Sequence, residues 1–318
     1  MNIVILDAFA ANPGDLSWDF LNAYGSVTVY DRTPPEEIVP RAKDADIILL
    51  NKTNITAEMF DNLPKLKLIS VLATGFNIVD IEAAKKHGVI VSNVPAYSTD
   101  SVAQATFAFI LEFANRVGCH SDAVHNGEWT ACPDFSFIKQ PLCELAGKNI
   151  GIVGYGRIGR RVAGIAKAFG MNVLVKTAHP EKYTEADVKF VSLDEMLPVC
   201  DFVTIHCPLT PDTDRLVNKD FLSKMKKGAF LVNTSRGQEL DEQAVADALN
   251  GGHLAGAGID VLSVEPPKAD NPLLKAKNVW ITPHITWAPL EARKRLLSVT
   301  NDNVKAFCEG KPINNVVK

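Results

Sequence analysis

The stretch that most constrains this chain is residues 149–159, which read Asn-Ile-Gly-Ile-Val-Gly-Tyr-Gly-Arg-Ile-Gly. Its apolar first half predicts a buried strand, and apolar residues at helical spacing predict a helix over 157–169. Three glycines occupy the turn between them. Gly154 permits a tight turn, Gly156 lets the backbone approach a pyrophosphate, and Gly159 lets the helix pack against the strand. With the N–H groups of the helix N-terminus available to an anion, the stretch predicts a dinucleotide site.

The order of apolar strands and helices predicts two α/β units. Strands that alternate with helices pair in parallel, with the helices covering the sheet. The second unit has the glycine turn after its first strand, so it is predicted to be a doubly wound dinucleotide (Rossmann) fold of six strands. The predicted strands are 3–6, 27–30, 47–50, 68–72 and 89–91 in the first unit, and 150–153, 173–175, 202–205, 230–232, 256–260 and 279–281 in the second.

A length of 318 residues exceeds what a single core usually holds, so two domains are expected. A helix predicted over 100–117 is long enough to cross from one domain to the other. Because the dinucleotide fold is complete before a last predicted helix at 289–307, the end of the chain is expected to return to the first domain. The predicted division is a discontinuous substrate domain, 1–99 with 290–318, and a dinucleotide-binding domain, 100–289, inserted into it.

Composition narrows the class of protein. Hydrophobic residues make up 47% of the chain and charged residues 22%, which is typical of a globular protein, and the net charge of −4 offers no bulk attraction to nucleic acid or anionic membrane. Neither partner is therefore expected. No signal peptide and no run of membrane-spanning length is recognisable, so the expected location is cytoplasmic. The six cysteines form no C-x-x-C pair, and neither a metal site nor a disulfide framework is predicted.

Three polar residues follow three successive predicted strands of the second unit: Arg236, Glu265 and His284. In a doubly wound sheet, ligands bind beyond the carboxyl ends of the strands, so these residues are candidates for chemistry. A guanidinium can hold a carboxylate in a two-pronged hydrogen bond, and a histidine oriented by a carboxylate can give and take a proton. Taken alone, Arg236 could be an ordinary surface arginine and His284 a structural histidine. Three such residues at successive strand ends favour a catalytic set.

Several motifs, in this order, resemble the D-isomer-specific 2-hydroxyacid dehydrogenase family, and the resemblance covers nearly the whole chain. They are Ala73-Thr-Gly-Phe-Asn-Ile-Val-Asp80, Gly154-Tyr-Gly-Arg-Ile-Gly159, His206-Cys-Pro-Leu-Thr-Pro211, Val232-Asn-Thr-Ser-Arg-Gly237, Gly258-Ile-Asp-Val261 with Glu265-Pro266, and Thr282-Pro-His284. The resemblance implies a Rossmann dinucleotide domain inserted into a smaller, flavodoxin-like α/β substrate domain. Asn51-Lys52 and Trp287 resemble the glycerate dehydrogenase, or hydroxypyruvate reductase, type.

The resemblance also implies roles for individual residues. Arg236 would bind the substrate carboxylate and polarise the carbonyl group, His284 would be the acid/base, and Glu265 would pair with it. The implied cofactor contacts are Gly154, Tyr155, Gly156, Arg157, Ile158, Gly159, Thr177, His206, Cys207, Pro208, Thr213, Thr234, Ser235, Arg236, Asp260 and His284. The implied substrate contacts are Asn51, Lys52, Thr74, Gly75, Phe76, Arg236, His284 and Trp287.

One position departs from the pattern of an NAD-specific site. An acidic residue about twenty positions after the glycines normally accepts a hydrogen bond from the adenosine ribose, and Thr177 stands there instead. A neutral hydroxyl does not repel a 2′-phosphate, and Lys176, His179 or Lys182 could attract one. Thr177 could equally hydrogen-bond the ribose of NAD, so the expected cofactor is NAD or NADP.

Two classes of function remain open on the sequence. The first is an NAD(P)-dependent dehydrogenase for a small 2-hydroxy or 2-oxo acid, with hydroxypyruvate and D-glycerate or glyoxylate and glycolate as the expected pairs; a formate- or phosphite-oxidising enzyme is a weaker variant. The second is a dinucleotide-sensing regulatory protein, because corepressors that resemble this family retain the same three residues. No extra terminal segment for recruiting partners is recognisable, which favours the enzyme. The resemblance further implies a homodimer.

Overall fold

The computed structural model describes residues 1–184 and 187–317, which form two compact units. Residues 1–98 together with the C-terminal residues from 288 make up unit 1, and residues 99–287 make up unit 2. Lys318, the last residue of the predicted C-terminal segment, lies outside the described residues. In the described part of the chain, no helix is long and apolar enough to cross a membrane.

Strands and helices alternate along both units. The strands are β1 (Asn2–Ile5), β2 (Ser26–Val29), β3 (Ile47–Leu50), β4 (Leu68–Val71), β5 (Ile90–Ser92), β6 (Asn149–Val153), β7 (Asn172–Lys176), β8 (Lys189–Phe190), β9 (Phe202–Ile205), β10 (Phe230–Asn233), β11 (Gly256–Ile259) and β12 (Val279–Ile281). The helices are α1 (Ala8–Ala11), α2 (Ile38–Ala42), α3 (Ala57–Phe60), α4 (Ile81–Lys86), α5 (Thr99–Asn115), α6 (Val117–His125), α7 (Arg157–Ala168), α8 (Leu193–Met196), α9 (Lys219–Lys224), α10 (Glu242–Asn250) and α11 (Leu290–Cys308).

Unit 1 contains a parallel sheet in the order β2-β1-β3-β4-β5. This is the flavodoxin-like order, in which the strand sequence reverses between β1 and β3. Every residue of β3 and β4 is buried, as expected for strands covered on both faces. The structure confirms the predicted flavodoxin-like fold of this unit.

Unit 2 contains a parallel sheet whose described strands number seven, in the order β12-β11-β10-β9-β6-β7-β8. Alternate residues of a strand face opposite cores: Leu231 of β10 packs in one core, and its neighbours Phe230 and Val232 pack in the other. A core on each face makes this a doubly wound Rossmann sheet, as predicted. The prediction of six strands missed β8, because a two-residue strand is too short to show an alternating pattern.

Two neighbouring helices, α5 and α6, differ from the single helix predicted over 100–117. Helix α5 packs against α7 and against β10 and β11. It ends at Asn115 because Arg116 adopts a left-handed conformation with a φ of +51°. Helix α6, which the sequence did not predict, follows at once, and Ala123 is its one buried residue. A helix with so little buried apolar surface leaves no strong periodic pattern in the sequence.

Candidate active site

The three candidate catalytic residues follow three adjacent strands of the unit 2 sheet. Arg236 comes after β10, Glu265 after β11 and His284 after β12, and these strands pair side by side in parallel. Because the carboxyl ends of parallel strands share one edge of a sheet, the three residues emerge at the same edge. The topology thus brings residues that are distant along the chain to one edge of the sheet.

His284 and Glu265 form a close pair. The Nδ1 atom of His284 lies 2.7 Å from Oε2 of Glu265, and the two side chains remain 24% and 33% exposed. The other carboxylate oxygen, Oε1, accepts the main-chain N–H of Leu262 at 3.1 Å, which fixes the carboxylate in its loop. With Nδ1 engaged by the carboxylate, Nε2 is the atom through which the imidazole can give or take a proton.

The backbone at His284 is held in an uncommon conformation. Its φ is +54°, in the left-handed region that residues other than glycine rarely adopt. The main-chain N–H of His284 lies 2.8 Å from the carbonyl oxygen of Asp260 and 2.9 Å from that of Thr282, and its own carbonyl accepts the indole N–H of Trp287 at 2.8 Å. Strain of this kind persists where the surroundings over-determine it, and it is common at functional sites.

The buried carboxylate of Asp260 organises the loop that carries the histidine. Its Oδ1 atom accepts from the hydroxyl of Thr282 at 2.6 Å and from the N–H of Ile285 at 2.9 Å. Its Oδ2 atom accepts from the hydroxyl and the N–H of Thr286 at 2.7 and 3.1 Å. The sequence predicts Asp260 as a cofactor contact, whereas the contacts seen here are with its own unit. They hold the histidine loop in place.

Arg236 lies half-buried just past the end of β10. One guanidinium nitrogen donates to the carbonyl oxygen of Ser235 at 2.8 Å. The main chain of Arg236 is held on both sides, because its N–H donates to Glu239 at 3.2 Å and its carbonyl accepts from the amide of Asn233 at 2.8 Å. Asn233 and Glu239 are completely buried. Neither was predicted from the sequence, since each acts through contacts that exist only in the folded loop.

The loop after β10 packs directly against the loop after β11. A Cβ on Gly237 would come within 1.9 Å of the carbonyl carbon of Leu262, so glycine is required there. The side chain of Gln238 donates to the carbonyl of Ser263 at 3.1 Å. Glu242, at the start of α10, accepts from the N–H and the hydroxyl of Ser263 at 2.8 and 2.9 Å. These contacts fix the loop of the candidate guanidinium against the loop of the candidate carboxylate.

The glycine turn after β6 has the geometry expected of a dinucleotide site. Gly154 has a φ of +98°, and a Cβ there would meet the main-chain nitrogen of Cys207 at 2.5 Å. A Cβ on Gly159 would lie 2.1 Å from the carbonyl oxygen of Gly154, so α7 packs closely on the strand. Around Gly156, the N-cap of α7, the described residues leave open space for an added Cβ. The turn therefore fits a pyrophosphate at the helix N-terminus.

The other predicted cofactor contacts also lie past the carboxyl ends of unit 2 strands. Ser235 donates its hydroxyl to the carbonyl of Cys207 at 2.7 Å and so joins the loops after β9 and β10. Thr213 accepts the N–H of Thr210 and donates to the carbonyl of Pro208, each at 2.7 Å, which shapes the turn after β9. The complete set is Tyr155, Arg157 and Ile158 after β6, Thr177 after β7, His206, Cys207, Pro208 and Thr213 after β9, and Thr234 and Ser235 after β10.

Two of these residues, His206 and Tyr155, contact other residues of unit 2. The Nε2 atom of His206 is buried without a hydrogen-bond partner in the described structure, and burial lowers the pKa of this imidazole to about 3. Its main-chain N–H donates to the carbonyl of Val153 at 2.7 Å. Tyr155 packs edge-on against the rings of Tyr183 and Phe190, with centroids 5.0 and 5.4 Å away. Because its pKa is lowered to about 3, the imidazole of His206 is neutral at physiological pH.

The position that normally selects between NAD and NADP carries Thr177, half-buried after β7. Its hydroxyl accepts the main-chain N–H of His179 at 3.4 Å. The ring of His179 is paired with the carboxylate of Glu181, with Nδ1 and Oε1 3.3 Å apart. A neutral hydroxyl, rather than a carboxylate, thus stands where the ribose is expected.

In unit 1, the predicted substrate contacts lie in the loops after the adjacent strands β3 and β4. The buried carboxylate of Asp7 accepts the main-chain N–H groups of Asn51, Lys52 and Thr53 at 2.7, 2.6 and 2.8 Å. The side chain of Asn51 donates to the carbonyl of Leu72 at 2.6 Å and so ties the two loops together. Asp7 was not predicted, yet it shapes the loop that carries two of the predicted contacts.

The loop after β4 carries Thr74, Gly75 and Phe76. The hydroxyl of Thr74 donates to the carbonyl of Val94 at 2.8 Å, and its own carbonyl accepts from the side chain of Asn93 at 2.7 Å. These bonds anchor the loop at its start. The side chain of Phe76 is exposed.

Comparison with known proteins identifies the family. The family model described as "D-isomer specific 2-hydroxyacid dehydrogenase, NAD binding domain" matches residues 107–286. The chain belongs to this family. It is 48% identical to a hydroxypyruvate reductase from Blautia hydrogenotrophica over the full length of both chains, and 37% identical to a glycerate dehydrogenase from Methylorubrum extorquens over 99% of this chain and 98% of the relative. A solved acyclic imino acid reductase in complex with NADPH and D-Arg is 32% identical, with a TM-score of 0.86 over 99% of this chain and all of that one.

This 2-hydroxyacid dehydrogenase is an NAD(P)-dependent oxidoreductase that acts on the CH–OH group of its donor. It uses a nicotinamide dinucleotide together with a small-molecule substrate. The predicted family and enzyme class are thereby confirmed. The relatives give no support to the alternative of a dinucleotide-sensing regulatory protein.

Proposed function

We propose that this dehydrogenase interconverts hydroxypyruvate and D-glycerate, and glyoxylate and glycolate, with Arg236, Glu265 and His284 as its catalytic residues. The observation that carries the proposal is the 2.7 Å pairing of His284 with Glu265, in a loop packed against that of Arg236. Reduction of a 2-oxo acid needs a positioned proton donor and a cation beside the carbonyl oxygen. The full-length relatives named for hydroxypyruvate and glycerate support the choice of substrate.

His284 moves the proton in this scheme. In the reducing direction, its Nε2 atom gives a proton to the carbonyl oxygen of the substrate; in the oxidising direction, it takes the proton of the hydroxyl group. Glu265 contacts Nδ1 and so orients the ring. The loop held by Asp260 keeps the histidine in position before the substrate arrives, so little reorganisation accompanies the reaction.

Arg236 binds the carboxylate of the substrate and offsets the negative charge that develops on the carbonyl oxygen. In unit 1, the N–H groups of Gly75 and Phe76 and the side chain of Lys52 are substrate contacts in this proposal. In unit 2, Trp287 is a further proposed substrate contact. A small 2-oxo acid offers one carboxylate and one carbonyl oxygen, which matches the chemistry of this set of groups.

In unit 2, the residues of the glycine turn and of the loops after β7, β9 and β10 would hold a nicotinamide dinucleotide. When bound, the nicotinamide supplies or accepts the hydride at the substrate carbon. The N–H groups at the start of α7 would hold its pyrophosphate. Because Thr177 is uncharged, the site accepts NADP as well as NAD in this proposal. The NADPH complex of the similar imino acid reductase supports the same point.

The two units have separate roles in this account. Unit 2 is the dinucleotide-binding domain, since the matched NAD-binding family model, residues 107–286, falls within it. Unit 1 is the discontinuous substrate domain, since the loops after β3 and β4 present the predicted substrate contacts at the carboxyl edge of its own sheet.

A homodimer forms through an apolar segment of unit 2 in this proposal. Five large apolar side chains between residues 117 and 142 are exposed by half or more: Val117, Trp129, Phe135, Ile138 and Leu142. The indole N–H of Trp129 donates to the carbonyl of Phe135 at 2.9 Å, which gives the segment a defined shape. Exposed apolar patches of this kind commonly mark protein interfaces.

The cytoplasmic location stays a prediction.

A panel of substrates, assayed with NADH and with NADPH by the loss of reduced-cofactor absorbance, tests this function. We expect the highest kcat/KM for hydroxypyruvate or glyoxylate, and turnover with both cofactors. A preference for a bulky 2-oxo acid or for an imino acid would contradict the proposed substrates. Absence of turnover with every 2-oxo acid would contradict the proposed catalytic set.

A further inference from the structure

Glu239 is a buried acidic residue that takes no part in the reaction described above. It ends the 3-10 turn Gly237–Glu239, directly after Arg236, and none of its surface is exposed. Burying a carboxylate is costly unless hydrogen bonds replace the water that it loses. The partners of this carboxylate therefore indicate what it does.

The carboxylate of Glu239 joins two loops. Its Oε2 atom accepts the main-chain N–H of Arg236 at 3.2 Å. Its Oε1 atom accepts the thiol of Cys207, in the loop after β9, at 3.3 Å. The hydroxyl oxygen of Ser235 lies 3.5 Å from Oε1, but its proton is donated to the carbonyl of Cys207 at 2.7 Å. Burial raises the pKa of the Cys207 thiol to about 12, so the thiol stays protonated and remains a donor. Two donors from two loops, the N–H of Arg236 and the thiol of Cys207, thus converge on one carboxylate.

We propose that Glu239 is a positioning residue for Arg236: its ionised carboxylate fixes the main chain from which the guanidinium extends. This inference rests on the proposed function, in which Arg236 binds the substrate carboxylate. A charged acceptor makes stronger hydrogen bonds than a neutral one. When the carboxyl group is protonated, its acceptor oxygens lose their charge, and the hydrogen bond from the main-chain N–H of Arg236 weakens.

The ionisation of Glu239 falls in a range that activity assays reach. Burial raises its pKa to about 7, while the hydrogen bonds from Arg236 and Cys207, the charge of Arg236 and the nearby hydroxyl of Ser235 act in the opposite direction. The charged or titratable groups facing the carboxyl are Arg236, from the loop after β10, and Cys207, from the loop after β9. The segment at Val217 contributes a main-chain N–H to the carbonyl of Glu239 at 2.9 Å.

The variant Glu239→Gln tests the inference, because an amide has the shape of a neutral carboxyl group and cannot ionise. The quantity to measure is the kcat/KM for hydroxypyruvate in the wild type divided by that in the variant, across neutral pH. We expect this ratio to be near one at acidic pH and to rise to about ten as the pH increases past about 7. In an Arg236→Ala background the ratio should stay flat, because the residue through which Glu239 acts is gone.

Glu195→Gln is the matched control. Glu195 makes the same capping contact, accepting the N–H of Ser192 at 2.8 Å, in the first turn of helix α8, and its side chain is exposed. This substitution should leave kcat/KM unchanged at every pH. If Glu239→Gln fails to fold, Glu239→Asp keeps the charge but shortens the reach. It should then lower kcat/KM by about tenfold in the wild-type background and leave it unchanged without the arginine.

The outcomes separate this inference from the proposed function. A ratio that does not vary with pH, or one that keeps its pH dependence in the Arg236→Ala background, overturns the positioning role and leaves the proposed function standing. Near-wild-type turnover of Arg236→Ala alone overturns the proposed function. A ratio that depends on pH in the wild-type background but not in the Arg236→Ala background supports both the positioning role and the proposed function.

Discussion

A Cβ on Gly237 would lie 1.9 Å from the carbonyl carbon of Leu262, so the main chain of the loop after β10 lies directly against the main chain of the loop after β11. The first of these loops carries Arg236, and the second carries Glu265. The position of the Arg236 loop against the Glu265 loop therefore depends on a backbone contact that no residue larger than glycine permits.

Gly237→Ala is expected to damage both stability and catalysis. The added methyl group forces the main chain at Leu262 to move, and overpacking of this kind costs about 1–3 kcal/mol. A displacement of about 1 Å at the site should lower kcat/KM by about 100-fold. Gly164→Ala is the matched control, because Gly164 is exposed on α7 and the described residues leave its Cβ position open. Thermal unfolding and steady-state kinetics measure both effects; equal behaviour of the two variants would contradict this account.

The buried Glu239 is expected to make stability fall as pH rises, opposite to its proposed effect on activity. Burial raises its pKa from 4.5 to about 7, so the folded protein binds this proton more tightly than the unfolded chain does. The resulting stabilisation is complete below the unfolded pKa and is lost as pH rises through the folded one. Between those values, the free energy of unfolding should drop by about 2–4 kcal/mol relative to Glu239→Gln. Denaturant unfolding at several pH values measures the difference, and a difference independent of pH would refute the prediction.

Thr177→Asp is expected to shift cofactor use toward NAD. A carboxylate accepts the ribose hydroxyls of NAD and repels the 2′-phosphate of NADP. The ratio of kcat/KM with NADPH to that with NADH should therefore fall by at least about tenfold. Thr28→Asp, an exposed position on β2 of unit 1, introduces the same charge as a control. No NADPH turnover in the wild type, or an unchanged ratio in Thr177→Asp, would show that Thr177 does not govern this choice.

Charge placed in the apolar segment of unit 2 is expected to separate the proposed dimer. Phe135 and Ile138 are the most exposed of its large apolar side chains, at 91% and 71%. Changing both to Asp should convert a dimer into a monomer, because burying unpaired carboxylates at an interface is unfavourable. Phe9→Asp, at an exposed position of unit 1, should remain dimeric. The molar mass from light scattering during size-exclusion chromatography distinguishes dimer from monomer. A monomeric wild type would refute the proposed assembly.

The candidate catalytic residues could be predicted because they follow their strands closely. Buried parallel strands are visible as short apolar runs, and the order of strands and helices is enough to place their carboxyl ends at one edge. The glycine turn was equally visible, because Gly154, Gly156 and Gly159 answer steric demands that are local to one strand and one helix. The fold class and the neighbourhood of Arg236, Glu265 and His284 followed from these two patterns.

The residues that hold the site could not be predicted in the same way. Asp7, Asn233 and Glu239 bond to groups that meet only after folding, and in the sequence they look like ordinary surface residues. The four donors around Asp260 likewise come from the loop after a different strand. Such positions need long-range contacts, which hydrophobic periodicity does not carry.

Turnover of His284→Gln measures the central claim most directly. The amide occupies similar space but cannot transfer a proton, so kcat for hydroxypyruvate reduction should fall by about 100-fold or more. The affinity for reduced cofactor, followed by its fluorescence in the absence of substrate, should change by no more than about twofold. That combination is the result predicted here. A kcat within about tenfold of the wild type, with the variant folded and cofactor bound, would contradict the assignment of His284 as the proton donor.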